Sequence, residues 1–177
     1  NNAMTKQELI AAFIANHQQA VQYIDGLDDA EFSYRYPDKW TAGQQLEHLL
    51  LTIAPFPGVL ASKEFILEKF GTIDRVTWDY KTVLENYSKT SLKAPERFVP
   101  RNDVHSHQKA EIISGIQKNI DSIKDLLDKY PEEELDTLTL PHPLLGKLTI
   151  REMFYLMSYH PLHHQQQIEQ MLGNYFK

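Results

Sequence analysis

His160 and His164 stand four residues apart in Ser158-Tyr159-His160-Pro161-Leu162-His163-His164-Gln165-Gln166-Gln167-Ile168. In a helix this is one turn, so both imidazoles leave the same face, about 6 Å apart along the axis. Met153, Met157, Ile168 and Met171 fall in line with them at steps of three and four. Such a stripe faces a core. Rings on it need partners, because an unsatisfied buried polar group costs about 1–3 kcal/mol. A shared transition-metal ion satisfies both at once. Three protein nitrogens and one open position is the usual layout of a catalytic zinc site. The third nitrogen must come from another helix. His48, in Leu46-Glu47-His48-Leu49-Leu50, is the candidate, two turns past an N-cap on the flank of an apolar face. Its other reading is a satisfied or solvated histidine with no ion. Pro161 removes a backbone N–H and frees the Met157 carbonyl. A kink that still presents both rings is expected there, since the stripe stays in register on both sides; a break, which would undo the one-turn spacing, is the alternative.

Four long amphipathic segments are predicted to position these residues. The first opens at the capping box Thr5-Lys6-Gln7-Glu8 and runs to about Asp25, with Ile10, Ile14, His17, Val21 and Ile24 inward. The second opens at Thr41-Ala42-Gly43-Gln44, carries Leu46, Leu49, Leu50 and Ile53, and meets Pro55 and Pro57, which kink or break it. A further helical piece over 57–70 turns Val59, Leu60, Phe65 and Ile66 inward. The third segment covers about 103–130, lined by Ile112, Ile116, Ile120, Ile123 and Leu127 and stopped by Pro131. The fourth opens at Thr149-Ile150-Arg151-Glu152 and ends near Gly173.

No strand pattern is visible. Residues 137–147, with Pro141-His142-Pro143 and Gly146, read as a turn region. Residues 71–102 hold Trp78, Tyr80, Leu84, Tyr87 and Phe98, with a short helix over 78–90 and loop elsewhere. This stretch reads as a cover on the core, with a substrate lid as the alternative. The expected class is all-α: a four-helix bundle with a long crossover between helices 2 and 3. One domain over residues 4–177 is expected. Asn1-Asn2-Ala3 ahead of Met4 reads as a cloning remnant and is set aside.

Hydrophobic residues make up 42% and charged residues 24%, which suits a folded globular chain. Net charge is -6 and no basic tract interleaves with aromatics, so nucleic acid is not an expected partner. No apolar run approaches the roughly 18–20 residues that span a bilayer. No basic-plus-apolar leader is seen either, so a cytoplasmic chain that does not enter a membrane is expected. Cysteine is absent, which removes disulfides, thiolate nucleophiles and Cys-ligated zinc. Histidine and carboxylate must hold any metal, and any nucleophile must be water, a hydroxyl or a group on the substrate.

The other candidates have ordinary explanations. His17 is a further ligand, a proton carrier or a satisfied core histidine. His163 points off the metal face, His105 and His107 are solvated, and His142 belongs to a turn. Glu152 is accounted for as the capping partner of Thr149. Tyr155, Tyr159 and Trp78 are core aromatics or pocket lining. The seven glycines are too scattered for a phosphate loop.

Taken in order, Trp40-Thr41 with His48, then Gly146-Lys147-Leu148-Thr149 with Glu152, then His160 with His163-His164 and Gln167-Ile168 resemble the DinB/YfiT-like superfamily. That superfamily is distinct from the DNA polymerase sharing the DinB name. Its pattern is a Trp-Ser/Thr start, a helix-borne His, then His-x-x-x-His before Gln-Ile. The resemblance covers nearly the whole chain. It implies a four-helix bundle holding a divalent ion, nickel or zinc, on His48, His160 and His164, and a homodimer. Characterised relatives include transferases and isomerases that use low-molecular-weight thiols, and metal-dependent hydrolases have been proposed. The family often has an acidic residue a few positions before the first His; this chain has Gln44 and Gln45. The function the resemblance implies is a metal-dependent transferase using a low-molecular-weight thiol on a small electrophile. The thiol must arrive as cosubstrate. A metal-dependent hydrolase is the alternative. A non-catalytic helical binding or assembly module with a vestigial His cluster is the reading from another class.

Overall fold

The computed structural model describes residues 4–176, so the presumed remnant at 1–3 and Lys177 lie outside the described residues. The chain is 67% helix with one two-stranded sheet, in keeping with the all-α class. Helix α1 (Lys6–Asp25), α3 (Ala42–Ile53) and α9 (Ile150–Tyr175) each begin at the capping box expected of them, at Thr5, Thr41 and Thr149. In each, the threonine hydroxyl accepts the N3 amide and the N3 side chain accepts the cap amide, so two orphan donors are satisfied together. Helix α2 (Asp29–Ser33) is a single turn capped the same way by Asp28.

Helix directions follow from the cross-links between elements. Arg151 donates to the Met4 carbonyl, Asn16 to the Ser158 carbonyl, and Gln19 to Gln165, so α1 and α9 run the same way. Helix α7 (Lys109–Leu127) opposes α1, because Gln18 meets Gln117 and Lys109 meets Asp25. Helix α3 opposes α9, because Gln45 meets His164 and His48 meets His160. Helix α3 therefore runs with α7, beside which it packs. Two neighbouring helices that run the same way need a long return path, which is the physical reason for the crossover between them.

That crossover departs from the expected helix in several places. Pro55 and Pro57 interrupt the helix only at residues 54–55, and α4 (Phe56–Leu60) resumes with Pro55 at its N-cap. The sharp turn comes after Leu60, where the chain bends by 103° into α5 (Lys63–Lys69). This break splits the piece expected over 57–70. It leaves Ile66 buried but turns Phe65 outward, 48% exposed. The short helix near Trp78 is present as α6 (Tyr80–Ser88), capped by Asp79. The third long helix starts at Lys109, not near residue 103, because 103–105 are not helical, His105 is extended, and 106–108 form a 3₁₀ turn. Helix α8 (Glu132–Thr137) follows Pro131. Among the described residues no single helix is long and apolar enough to cross a membrane.

The turn region at 137–147 is a β-hairpin. Strands β1 (Thr139–His142) and β2 (Gly146–Thr149) pair antiparallel, Leu140 opposite Leu148. Gly146 takes φ +73°, a left-handed conformation that glycine adopts freely. Burial runs in blocks along these strands instead of alternating, because Thr139 and Leu140 are both enclosed while Pro141 is exposed. Without alternation the sequence carries no period-2 signal.

Glu152 does more than close its capping box. Its carboxylate, 1% exposed, accepts Arg75 Nη2 at 2.8 Å and Nη1 at 3.0 Å. It also accepts the amides of Trp78 at 2.5 Å and Thr149 at 2.9 Å. The Arg75 guanidinium lies 3.6 Å over the Trp78 ring. One buried carboxylate thus ties the start of the crossover's second half to the start of α9.

Candidate metal centre

Helix α9 runs unbroken through Pro161, so His160 and His164 keep their one-turn spacing. All six residues of the predicted stripe are buried. His48 faces them from α3. Its Nε2 lies 3.2 Å from His160 Nε2, which lies 3.0 Å from His164 Nε2. One nitrogen from each ring falls within 4.8 Å of the other two. The rings are 3%, 8% and 6% exposed for His48, His160 and His164.

The outward nitrogens decide the chemistry of the inward ones. His48 Nδ1 is 2.7 Å from the Phe98 carbonyl, and His164 Nδ1 is 2.5 Å from Gln45 Oε1. Both oxygens only accept, so both Nδ1 atoms carry the proton and both Nε2 atoms present bare lone pairs. His160 Nε2 sits between them and can share one proton with only one of the two. A cation satisfies all three. The two spacings at His160 match one: bonds of about 2.05 Å place nitrogens about 3.3 Å apart around a tetrahedral ion and about 2.9 Å apart on an octahedral face. Burial lowers the pKa of each ring, most strongly at His160 and His164, with the neighbouring imidazoles adding to the effect. All three are therefore neutral near pH 7, the form that binds metal.

The cluster opens on a cleft of about 1000 Å³. Helix α9 supplies Met153, Leu156 and Met157 to its lining, α4 supplies Phe56 and Val59, and the hairpin supplies Leu140 and His142. Tyr87 and the stretch from Leu92 to Phe98 form a further wall, and Tyr36 to Trp40 border another side. The Trp40 ring lies 4.9 Å from His48 and is near-parallel to His164 at 6.4 Å. Residues 71–102 thus cover the core and also build one side of the cleft.

The sequence profile of the DinB superfamily matches residues 12–168. The chain belongs to the DinB superfamily. Two solved structures share the fold. A crystal structure of a protein from Streptococcus pneumoniae is 16% identical with TM-score 0.56, covering 97% of this chain and 92% of that one. A crystal structure of an uncharacterised protein from Clostridium difficile 630 is 13% identical with TM-score 0.60, covering 97% of each chain. No match is found among curated proteins.

In this DinB protein the other histidines divide clearly. His105 and His107 are exposed and stack on each other at 5.7 Å. His163 borders the cleft outside the three-ring cluster, its Nδ1 3.5 Å from the Tyr159 hydroxyl. His142 lies in β1, where its Nδ1 accepts the amides of Leu144 and Leu145 at 3.0 and 3.1 Å. Tyr155 is core, and neither Tyr159 nor Trp78 lines the cleft.

The sequence reading missed two contributors. Gln45 looked like a departure from the family's acidic pattern, yet it is 5% exposed and holds the His164 ring. Its signal was an amide three residues before His48, on the buried side of an apolar helix. The Phe98 carbonyl had no signal, because every residue carries one.

Proposed function

We propose that this chain is a metal-dependent transferase that joins a small thiol to a small electrophile inside the cleft, on a four-helix-bundle scaffold. The supporting observation is the convergence of three Nε2 atoms, two of them bare, on the wall of a mostly apolar cleft, in a chain without cysteine. His48, His160 and His164 would hold the ion, and three neutral nitrogens suit nickel or zinc. The ion, when bound, supplies charge that favours thiolate over thiol at neutral pH. The chain's own residues do the rest. The Phe98 carbonyl and Gln45 amide keep the Nε2 atoms of His48 and His164 unprotonated. Burial keeps the rings neutral, so no imidazolium repels the cation. Phe56, Met153 and Leu156 line the cleft with apolar surface, which limits competing attack by water.

The reading includes a cytoplasmic chain, where small thiols stay reduced, and a homodimer, which light scattering tests. The central experiment is elemental analysis of the purified protein with nickel and zinc uptake, followed by turnover of a small electrophile with and without thiol. Stoichiometric ion, lost in His48→Ala and His164→Ala with helicity kept, and turnover requiring both ion and thiol are expected. Turnover with water alone makes it a hydrolase. Absence of uptake leaves a helical binding module and overturns the proposal.

A further inference from the structure

Two of the three clustered imidazoles have an acceptor for the ring nitrogen that faces away from the centre. His48 has the Phe98 carbonyl and His164 has Gln45. His160 has none. Among the described residues, the buried side-chain nitrogens without a partner are His160 Nδ1 and His17 Nε2.

These two orphans are complementary. His17 Nδ1 lies 2.8 Å from the Phe13 carbonyl, which only accepts, so Nδ1 carries that ring's proton. Its Nε2 is a bare acceptor. With an ion on Nε2, His160 carries its proton on Nδ1, which is then a donor. One orphan needs an acceptor and the other needs a donor.

They also lie at the same level. Helices α1 and α9 run the same way, and Asn16–Ser158 and Gln19–Gln165 are bonded across them. Interpolating between these links sets His17 beside His160. His17 is wholly enclosed and close enough to His160 for a charge on it to lower that ring's pKa. The two nitrogens are not in direct hydrogen-bond contact. Pro161 adds a third group, because it denies the Met157 carbonyl its usual helical donor on this same turn.

We infer that His17 is the positioning residue for His160: one buried water accepts the His160 Nδ1–H and donates to His17 Nε2, fixing the third ring of the cluster. The water's second hydrogen is free for the Met157 carbonyl, so it has the several polar partners that a buried water requires. Histidine ligands generally donate their other N–H to such a partner, and losing it costs about 10- to 100-fold in metal affinity. The positioning role and this direction of the bridge rest on the metal-binding reading; without an ion the same water donates to both nitrogens.

The test uses the full chain as wild type, His17→Leu and His17→Gln. Zinc affinity is measured by chelator competition, and thermal stability is measured without metal. Wild type is expected to bind one zinc and His17→Leu to bind it about 10- to 100-fold more weakly. His17→Gln, whose amide oxygen replaces Nε2, recovers most of the loss. Metal-free His17→Leu loses the Nδ1 bond to the Phe13 carbonyl and one partner of the bridging water, so a lower melting point is expected whether or not His17 positions His160. Unchanged zinc affinity beside that lower melting point marks a merely structural His17 and overturns the inference. A crystal structure of the metal-free wild type supplies the independent arm. Water within about 2.7–3.2 Å of both nitrogens supports the bridge; a dry gap refutes it. If wild-type protein takes up no zinc, the metal reading and the positioning role fall together, and the crystal decides the bridge alone.

Discussion

Glu152→Ala removes the carboxylate on which four donors end. Trp78 N and Thr149 N lose a charged acceptor, and such bonds are worth about 1.5–3 kcal/mol each. Arg75 loses its ion pair, but its side chain is 26% exposed and keeps the carbonyls of Val76 and Lys147. Its charge is not stranded, so the cost stays below the sum of the parts and near the bottom of the about 3–5 kcal/mol seen when a buried pair is broken. We expect a loss of about 3 kcal/mol. At about 2–4 °C per kcal/mol for a chain of this size, the midpoint falls by about 6–12 °C. Thermal unfolding followed by far-ultraviolet circular dichroism reads this directly. Glu152→Gln keeps an acceptor for the cap and loses the charge, so it is expected to recover about half. Amide exchange should speed up first at Trp78 and Thr149. A Glu152→Ala protein within about 0.5 kcal/mol of wild type, the range of ordinary surface changes, would show that the carboxylate clamps nothing.

Gln45→Leu is expected to weaken zinc or nickel binding about 10- to 100-fold, or about 1.4–2.7 kcal/mol, and Gln45→Glu to tighten it; equal chelator-competition curves for all three would remove Gln45 from the site. A Cβ at Gly43 would lie 2.6 and 2.9 Å from Phe32 ring carbons and 3.1 Å from the Val104 carbonyl. Gly43→Ala should therefore cost about 1–3 kcal/mol in a denaturant titration, with ion affinity falling as α3 shifts. Burial lowers the His142 pKa to about 4. The unfolded chain then takes up this proton first, so the contribution of neutral His142 is complete above about pH 6.5 and is lost as pH falls towards 4. The effect is at most about 3 kcal/mol, less for partial exposure. Protonation displaces the Leu144 and Leu145 amides, so their protection factors should fall over this window, and His142→Asn should flatten the dependence.

The parts legible in the sequence share one property: their signal is local. Threonine three residues before Glu or Gln marks a helix start wherever it falls, and a stripe at steps of three and four marks a buried face. Both survived Pro161, because the packing of α9 against α1 outweighs one lost backbone bond. The illegible parts depend on partners distant in sequence. Glu152 looked sufficient as a cap because Arg75 is 77 residues away. Phe65 looked inward until the 103° bend after Leu60 rotated α5. The hairpin was silent because its strands are enclosed in blocks. Gln45 was visible, but its ring partner lies 119 residues on.

The oxygen that steadies His48 belongs to Phe98, a residue that also walls the cleft. A guest large enough to push that wall outward drags the oxygen with it and slackens the imidazole behind. A guest that fits leaves the grip tight. On the proposed metal-binding reading, size would thus be gauged at the imidazoles as well as at the entrance, and an oversized visitor would weaken the very centre it needs.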